Sequence, residues 1–178
     1  MLIPYRGNEI LLLNFSNGYC DSLKGKGRTV DYSKDYISSS NECNDYNSLE
    51  YNRYAFPTIR VNNSAFLIQL AEEFTSPNIS YGQKYFSILI GATYANGCFF
   101  GENYLFDNDS IFVNNSNVNY YDSLIIGSSQ TYYKIYKLES RNPSADDFHI
   151  NIVYYNVQIG IVALMDNNGQ IIFVENLK

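Results

Sequence analysis

The sequence predicts an all-β fold: a single antiparallel β-sandwich or strongly curved half-barrel, residues 1–178 forming one domain, with at most one short helix, around residues 65–74. Three observations predict it. Apolar and polar residues interchange at short range, above all from Asn119 to Lys178, as they do in strands with one buried face. The chain carries 18 Tyr and 11 Phe, and aromatic residues among Ile and Val favour strands. Asparagine is the most frequent residue, and Asn with Gly marks turns and left-handed backbone positions. With 46% hydrophobic and 17% charged residues, a chain of this length is globular and can bury a core without metals or disulfides.

Taken in order, residues 9–15 (EILLLNF) form a first strand, closed by Ser16-Asn17-Gly18 with glycine in the left-handed position. From Tyr19 to Tyr54 the chain is polar, with strands expected around Arg28–Tyr32 and Ser48–Tyr54 and a loop between them. Lys24, Lys26 and Arg28 alternate with Gly and Leu in SLKGKGRTV and read as a solvated hairpin tip. After Pro57 an extended run, TIRV, ends at Asn62-Asn63. Ala65–Phe74 (AFLIQLAEEF) fits two templates. Phe66, Leu70 and Phe74 recur every four residues among good helix formers, while Phe66, Ile68 and Leu70 also alternate as one strand face. The strand-rich surroundings and the Asn-Asn-Ser turn before it favour the strand.

Further strands are expected at Lys84–Tyr94, Cys98–Leu105, Ser110–Val113, Ser123–Ile126, Thr131–Glu139, Ile150–Tyr155, Gly160–Met165 and Ile171–Val174. Asp107–Asp109 and Asn114–Asn119 read as turn clusters around the Ser110 strand. Asp166-Asn167-Asn168-Gly169 reads as a hairpin turn with Gly at positive φ, within the main sheet.

The chemistry-bearing residues are sparse. His149, the single histidine, follows Asp146-Asp147 and reads as a surface or capping residue where a loop enters a strand. Asp107-Asn108-Asp109 begins like a calcium loop, but the sixth position is Phe112 and the twelfth Val118, where such a loop needs Gly and Glu. Glu72–Glu73 and Asp146–Asp147 are adjacent pairs, which a strand sends to opposite faces. The sequence has no Walker loop, no GxGxxG and no GxSxG, and it implies no cofactor and no metal. Tyrosines offer the weak binding candidates: Tyr132, Tyr136 and Tyr154 could join a platform for sugar or peptide, although adjacent tyrosines on a strand put one ring inside and one outside.

A formal net charge of −6 argues against nucleic acid, since phosphate neutralisation needs a basic face. No apolar run reaches the length of a membrane-spanning helix. Cys20, Cys43 and Cys98 show no metal-ligand spacing. In an oxidising compartment Cys20 and Cys43, which flank one polar segment, are the expected disulfide; counting thiols in denatured, unreduced protein tests it, because three would exclude the bridge.

The run DSLIIGSSQTYYKIYKLES (Asp122–Ser140) followed by NIVYYNVQIGIVALMDNNGQIIFVENL (Asn151–Leu177) resembles the closing section of small secreted lipoproteins of Bacteroidota-type bacteria. Those end on a Tyr-rich strand, a "YYN…GI" strand, an Asp/Asn-Gly hairpin and a final apolar strand. The opening LIPYRGNEILLLNFSNG is similar to their usual start. The chain departs from the pattern at Val157-Gln158-Ile159 and lacks a Trp in its last strand. The resemblance implies export to the outer membrane or cell surface, or to the periplasm, with a lipid anchor upstream of Met1. It implies no activity and no catalytic residues. The expectation is a non-enzymatic cell-envelope binding or structural protein with a protein, glycan or lipid ligand. The alternatives are an apolar-ligand (lipid) carrier with a concave sheet and a carboxylate-dependent hydrolase.

Overall fold

Where the chain alternates, it pairs. The computed structural model describes residues 2–6, 8–25, 28–33, 49–55, 59–61, 64–74, 84–92, 98–107, 110–112, 116–127, 130–141 and 149–177. In them the strands are β1 (Ile10–Phe15), β2 (Cys20–Lys24), β3 (Arg28–Ser33), β4 (Leu49–Ala55), β5 (Ile59–Val61), β6 (Ser64–Phe74) and β7 (Lys84–Ala92). They continue with β8 (Cys98–Asp107), β9 (Ser110–Ile111), β10 (Val118–Ile126), β11 (Gln130–Glu139), β12 (Ile150–Asn156), β13 (Gly160–Asp166) and β14 (Ile171–Leu177). No helix occurs among the described residues.

The strands form two antiparallel sheets. The first runs β10-β11-β12-β13-β14-β1-β2, and the second β3-β4-β6-β7-β8-β9 with β5 on β6. In the first sheet the earliest strand lies between the last strand and β2, with Leu13 opposite both Val174 and Asp21. Period-two alternation then sets the layers. Leu11 and Leu13 of β1, Val153 and Tyr155 of β12 and Ile172 of β14 share one buried cluster with Ile68, Leu70, Phe86, Ile88 and Phe100 of the second sheet. The rings of Phe86 and Tyr155 meet across the layers at 4.8 Å. The sheets are therefore the two layers of a sandwich, and each large apolar side chain between them contributes roughly 1.5–3 kcal/mol.

The 65–74 segment is a strand throughout, as its surroundings favour, laddered on β4 and β7; two long ladders outweigh its helical propensity. Three details differ from expectation. Lys24 and Arg28 do not flank a hairpin tip: Lys24 ends β2, which pairs with β1, and Arg28 begins β3, which pairs with β4 in the other sheet. Polar Cys20–Lys24 is a strand because one buried residue, Leu23, suffices at a sheet edge. Finally, β10 begins at Val118 inside the expected Asn-rich turn, because Val118, Asn119 and Tyr120 pair with Leu138, Lys137 and Tyr136.

The segment before β1 has no regular structure, yet Leu2, Ile3 and Tyr5 are fully buried. Two phenols fasten it. Tyr155 donates to the Leu2 carbonyl at 2.5 Å, and the Tyr5 hydroxyl accepts the Ile161 N–H at 2.7 Å. A polar link joins the sheets elsewhere. Glu102 on β8, buried, accepts the Arg141 N–H at 2.6 Å with one carboxylate oxygen, while Arg141 Nε lies 3.3 Å from the other. Beside it Tyr104 donates to the Glu139 carbonyl at 3.5 Å.

Burial holds the Tyr5 and Tyr104 phenols above their ordinary value of 10.0, and the Glu102 carboxylate adds to the effect at Tyr104. A raised folded-state pKa means that below pH ~10 both states keep the proton and pH does not act through these groups. Above it the unfolded chain loses protons that the fold retains, so stability falls as pH rises. The thermal midpoint is expected to be level to about pH 9 and to fall beyond about pH 10, with a shallower fall in Tyr104→Phe. Equal slopes in the two proteins would contradict this account.

Candidate binding groove

The ladders of β11 are unequal. Toward β10 its pairing extends from Gln130 to Leu138, but toward β12 it covers only Tyr136–Glu139. The strand leaves β12 at Lys134, whose φ of 54° puts a non-glycine residue in the left-handed region. Asn156 occupies the gap. Its Nδ2 donates to the Tyr133 carbonyl at 2.8 Å and the Lys134 carbonyl at 3.3 Å, in place of ladder bonds. The far end of the β10–β11 hairpin reaches β14: a Cβ built on Gly127 would lie 2.8 Å from Phe173 Cζ. The hairpin thus folds over the outer face of its own sheet.

This fold-over creates a second core. Leu124, Ile126, Tyr132 and Ile135 of the hairpin pack on Ile152, Tyr154, Val162, Ala163, Met165, Ile171 and Phe173 of the sheet below. The β12–β13 register shifts between Tyr154↔Ala163 and Tyr155↔Ile161, leaving Val162 as an extra residue. Such a bulge turns neighbouring side chains to one face, and both Val162 and Ala163 join the covered cluster.

A groove of about 1210 Å³ lies beside the hairpin. Gln130 and Tyr132 of β11 line one side, and Gln158 and Ile159 of the β12–β13 turn, with Ile161 and Val162 of β13, line another. Phe173–Leu177 of β14 contributes a third side, and Pro4, Arg6, Asn8 and Glu9 with Ile10 and Asn14 of β1 complete it. A smaller hollow of about 430 Å³ also contacts Asn14 and Phe173 and includes Gly127.

Each wall is held by the fold. Asn156 Oδ1 accepts the Gln158 N–H at 2.7 Å and the Ile159 N–H at 3.1 Å, so one side chain shapes both the hairpin hinge and the turn at the groove. Glu9 accepts the Arg6 N–H with its carboxylate, and its carbonyl accepts the Gly25 N–H at 2.8 Å. On β13, Gly160 (φ +94°) lies where an added Cβ would be 2.1 Å from the Tyr5 oxygen. At the opposite end of β13, Asp166 Oδ1 accepts the Asn168 and Gln170 N–H groups at 2.9 and 2.7 Å, shaping the turn with Gly169 at φ 78°.

The three candidate tyrosines separate. Tyr132 lines the groove. Tyr154 is buried in the cluster beneath the hairpin. Tyr136 belongs to the core between the sheets, its ring 5.0 Å from that of Tyr120. Burial raises the phenol pKa of both Tyr132 and Tyr154. The amides and the β14 face that build the groove carry no sequence signal, because the fold-over that frames them depends on one left-handed lysine.

His149 is buried rather than on the surface, and its Nε2 has no hydrogen-bond partner; it sits under the β13–β14 turn, its carbonyl accepting the Asn167 N–H at 2.9 Å. Asp146 and Asp147 lie outside the described residues. Cys20 is exposed with a free thiol, 3.2 Å from Asn14 Oδ1, and its expected partner Cys43 lies outside the described residues. Among the described residues no cluster of His, Cys, Asp and Glu is placed to hold a metal, and no helix is long and apolar enough to cross a membrane.

Fold and groove together define an antiparallel β-sandwich that carries a lined groove on the outer face of one layer. Compared with protein-family models, with curated proteins and with solved structures, the chain finds no match.

Proposed function

We propose that this chain is a non-enzymatic binding protein of the cell envelope, exported, with the groove beside the β10–β11 hairpin as its ligand site. The observation that carries the reading is the groove itself. It is large enough for an extended ligand, open, and walled by elements that Tyr5, Asn156 and Glu9 fix in place. A pre-formed concavity with a few polar groups among apolar side chains is the usual form of a binding site. The envelope location rests on the resemblance of the two chain ends to secreted lipoproteins.

A lipid carrier is less well supported, because Tyr5, Tyr104, Tyr155, Phe86 and Phe100 fill the space between the sheets. A carboxylate-dependent hydrolase is less well supported too: of the two carboxylates in the groove lining, Glu9 and Glu175, Glu9 is engaged by the Arg6 N–H, and both oxygens of buried Glu102 are engaged by Arg141. Native mass spectrometry of protein purified without detergent is expected to give the bare chain mass, and a retained lipid-sized adduct would move the carrier reading ahead. Hydrogen exchange in the presence of a screened ligand is expected to slow in 157–161 and 171–177. Protection confined to β6–β8, or conversion of the ligand, would overturn the proposal.

A further inference from the structure

We infer that the groove takes a neutral oligosaccharide, an inference that rests on the groove being a ligand site. Its polar lining is rich in side-chain amides: Asn8, Asn14, Gln130 and Gln158. An amide offers an acceptor oxygen and two donor hydrogens, which suits a sugar hydroxyl, itself both donor and acceptor. Two aromatic rings, Tyr132 and Phe173, lie in the same lining and supply flat apolar faces for the C–H side of a pyranose ring.

Charge and backbone geometry exclude the competitors. The lining holds one arginine, Arg6, against two glutamates, Glu9 and Glu175. That balance of −1 disfavours a polyanion such as a phosphorylated or sulfated chain. An alkyl chain laid along these four amides would strip them of water without replacing their hydrogen bonds, at a cost for each. A peptide adding as a strand needs a free sheet edge: β14, which floors the groove, is paired on both sides, to β13 and β1, and on the short stretch of β11 that lies clear of β12 Asn156 already takes the Tyr133 and Lys134 carbonyls.

The test is titration of the full chain with neutral hexasaccharides of glucose, mannose and xylose, followed by amide NMR shifts and calorimetry. At least one series is expected to bind, with shifts clustered in residues 157–161, 173–177 and 8–14. Tyr132→Ala is expected to weaken binding about tenfold. Because Tyr132 also packs under the hairpin, Asn8→Ala and Gln158→Ala, both exposed, serve as variants that leave the fold intact, each expected to weaken binding by about threefold to tenfold. Failure of all three sugars, with an extended peptide or a phospholipid vesicle shifting the same residues, would overturn the sugar inference and leave the groove as a binding site. Sugar binding that shifts only residues outside the groove would overturn both.

Discussion

Gly160→Ala is expected to destabilise the protein by roughly 3–5 kcal/mol, the sum of a left-handed backbone forced on alanine and a methyl forced into a filled core. The position combines both penalties. Its φ is +94°, and the added carbon would sit 2.1 Å from the oxygen and 2.2 Å from the ring carbon of Tyr5. Tyr5 cannot step aside easily: it is 1% exposed and its oxygen is bonded to Ile161 N–H. Urea unfolding of the variant should therefore show a midpoint far below that of the parent. Tyr5→Leu in the same background makes space for the methyl, so the double variant should recover part of the loss. A Gly160→Ala midpoint within about 1 kcal/mol of the parent would mean that the segment at residues 2–6 is not seated on β13 as described.

Asn156→Leu is the second large effect, expected at about 3–4 kcal/mol. The substitution removes four hydrogen bonds, to the Tyr133 and Lys134 carbonyls and from the Gln158 and Ile159 N–H groups. Asn156 is 6% exposed, and groups left unpaired in such a site cost about 1–3 kcal/mol each where water cannot reach them. The readout that distinguishes hinge from general damage is local. Hydrogen exchange of 121–135 should accelerate more than that of β7 and β8. Asn156→Asp keeps the acceptor for the turn and turns the donors to β11 into a carboxylate oxygen facing two carbonyls, so it should loosen the hairpin while sparing 157–159. Uniform acceleration across both sheets would show that Asn156 supports the core rather than the hinge.

Most of the fold was legible because period-two patterns are local. Strands lie where expected at Ile10–Phe15, Lys84–Ala92 and Gly160–Asp166, each a short apolar run bounded by polar or turn residues. Even Ala65–Phe74 was decidable once its neighbours were weighed, since a long strand between two others gains a ladder on each side. Polar Cys20–Lys24 was not legible, because an edge strand needs only one buried residue. The Lys24–Arg28 segment misled for another reason. Its Gly-Lys alternation marks a turn, but whether a turn closes a hairpin or carries the chain into another sheet depends on distant partners.

The site was far less legible than the fold. Tyr132 could be singled out, whereas Tyr136 and Tyr154 go to the core and to the cluster under the hairpin. The face of Tyr136 depends on Lys134, whose left-handed φ resets the alternation along β11, and Tyr154 lies on β12 beside a register shift; nothing in the residue types announces either. His149 looked like a loop residue and is buried, its carbonyl bonded to Asn167 in the turn of the next hairpin. The amides of the groove come from four separate places along the chain and acquire a common role only when the strands assemble.

The position of β1 between β14 and β2 has a kinetic consequence. Leu11, Leu13 and Phe15 can form a hairpin with β2 as soon as both are made, but the other edge of β1 stays unpaired until Ile171–Leu177 exist. Closing that contact brings together residues at the two extremes of the sequence, the slowest kind of pairing for a chain of this size. During synthesis, then, an apolar strand with an open edge must be kept from other strands, and the first sheet is completed as a late, cooperative event.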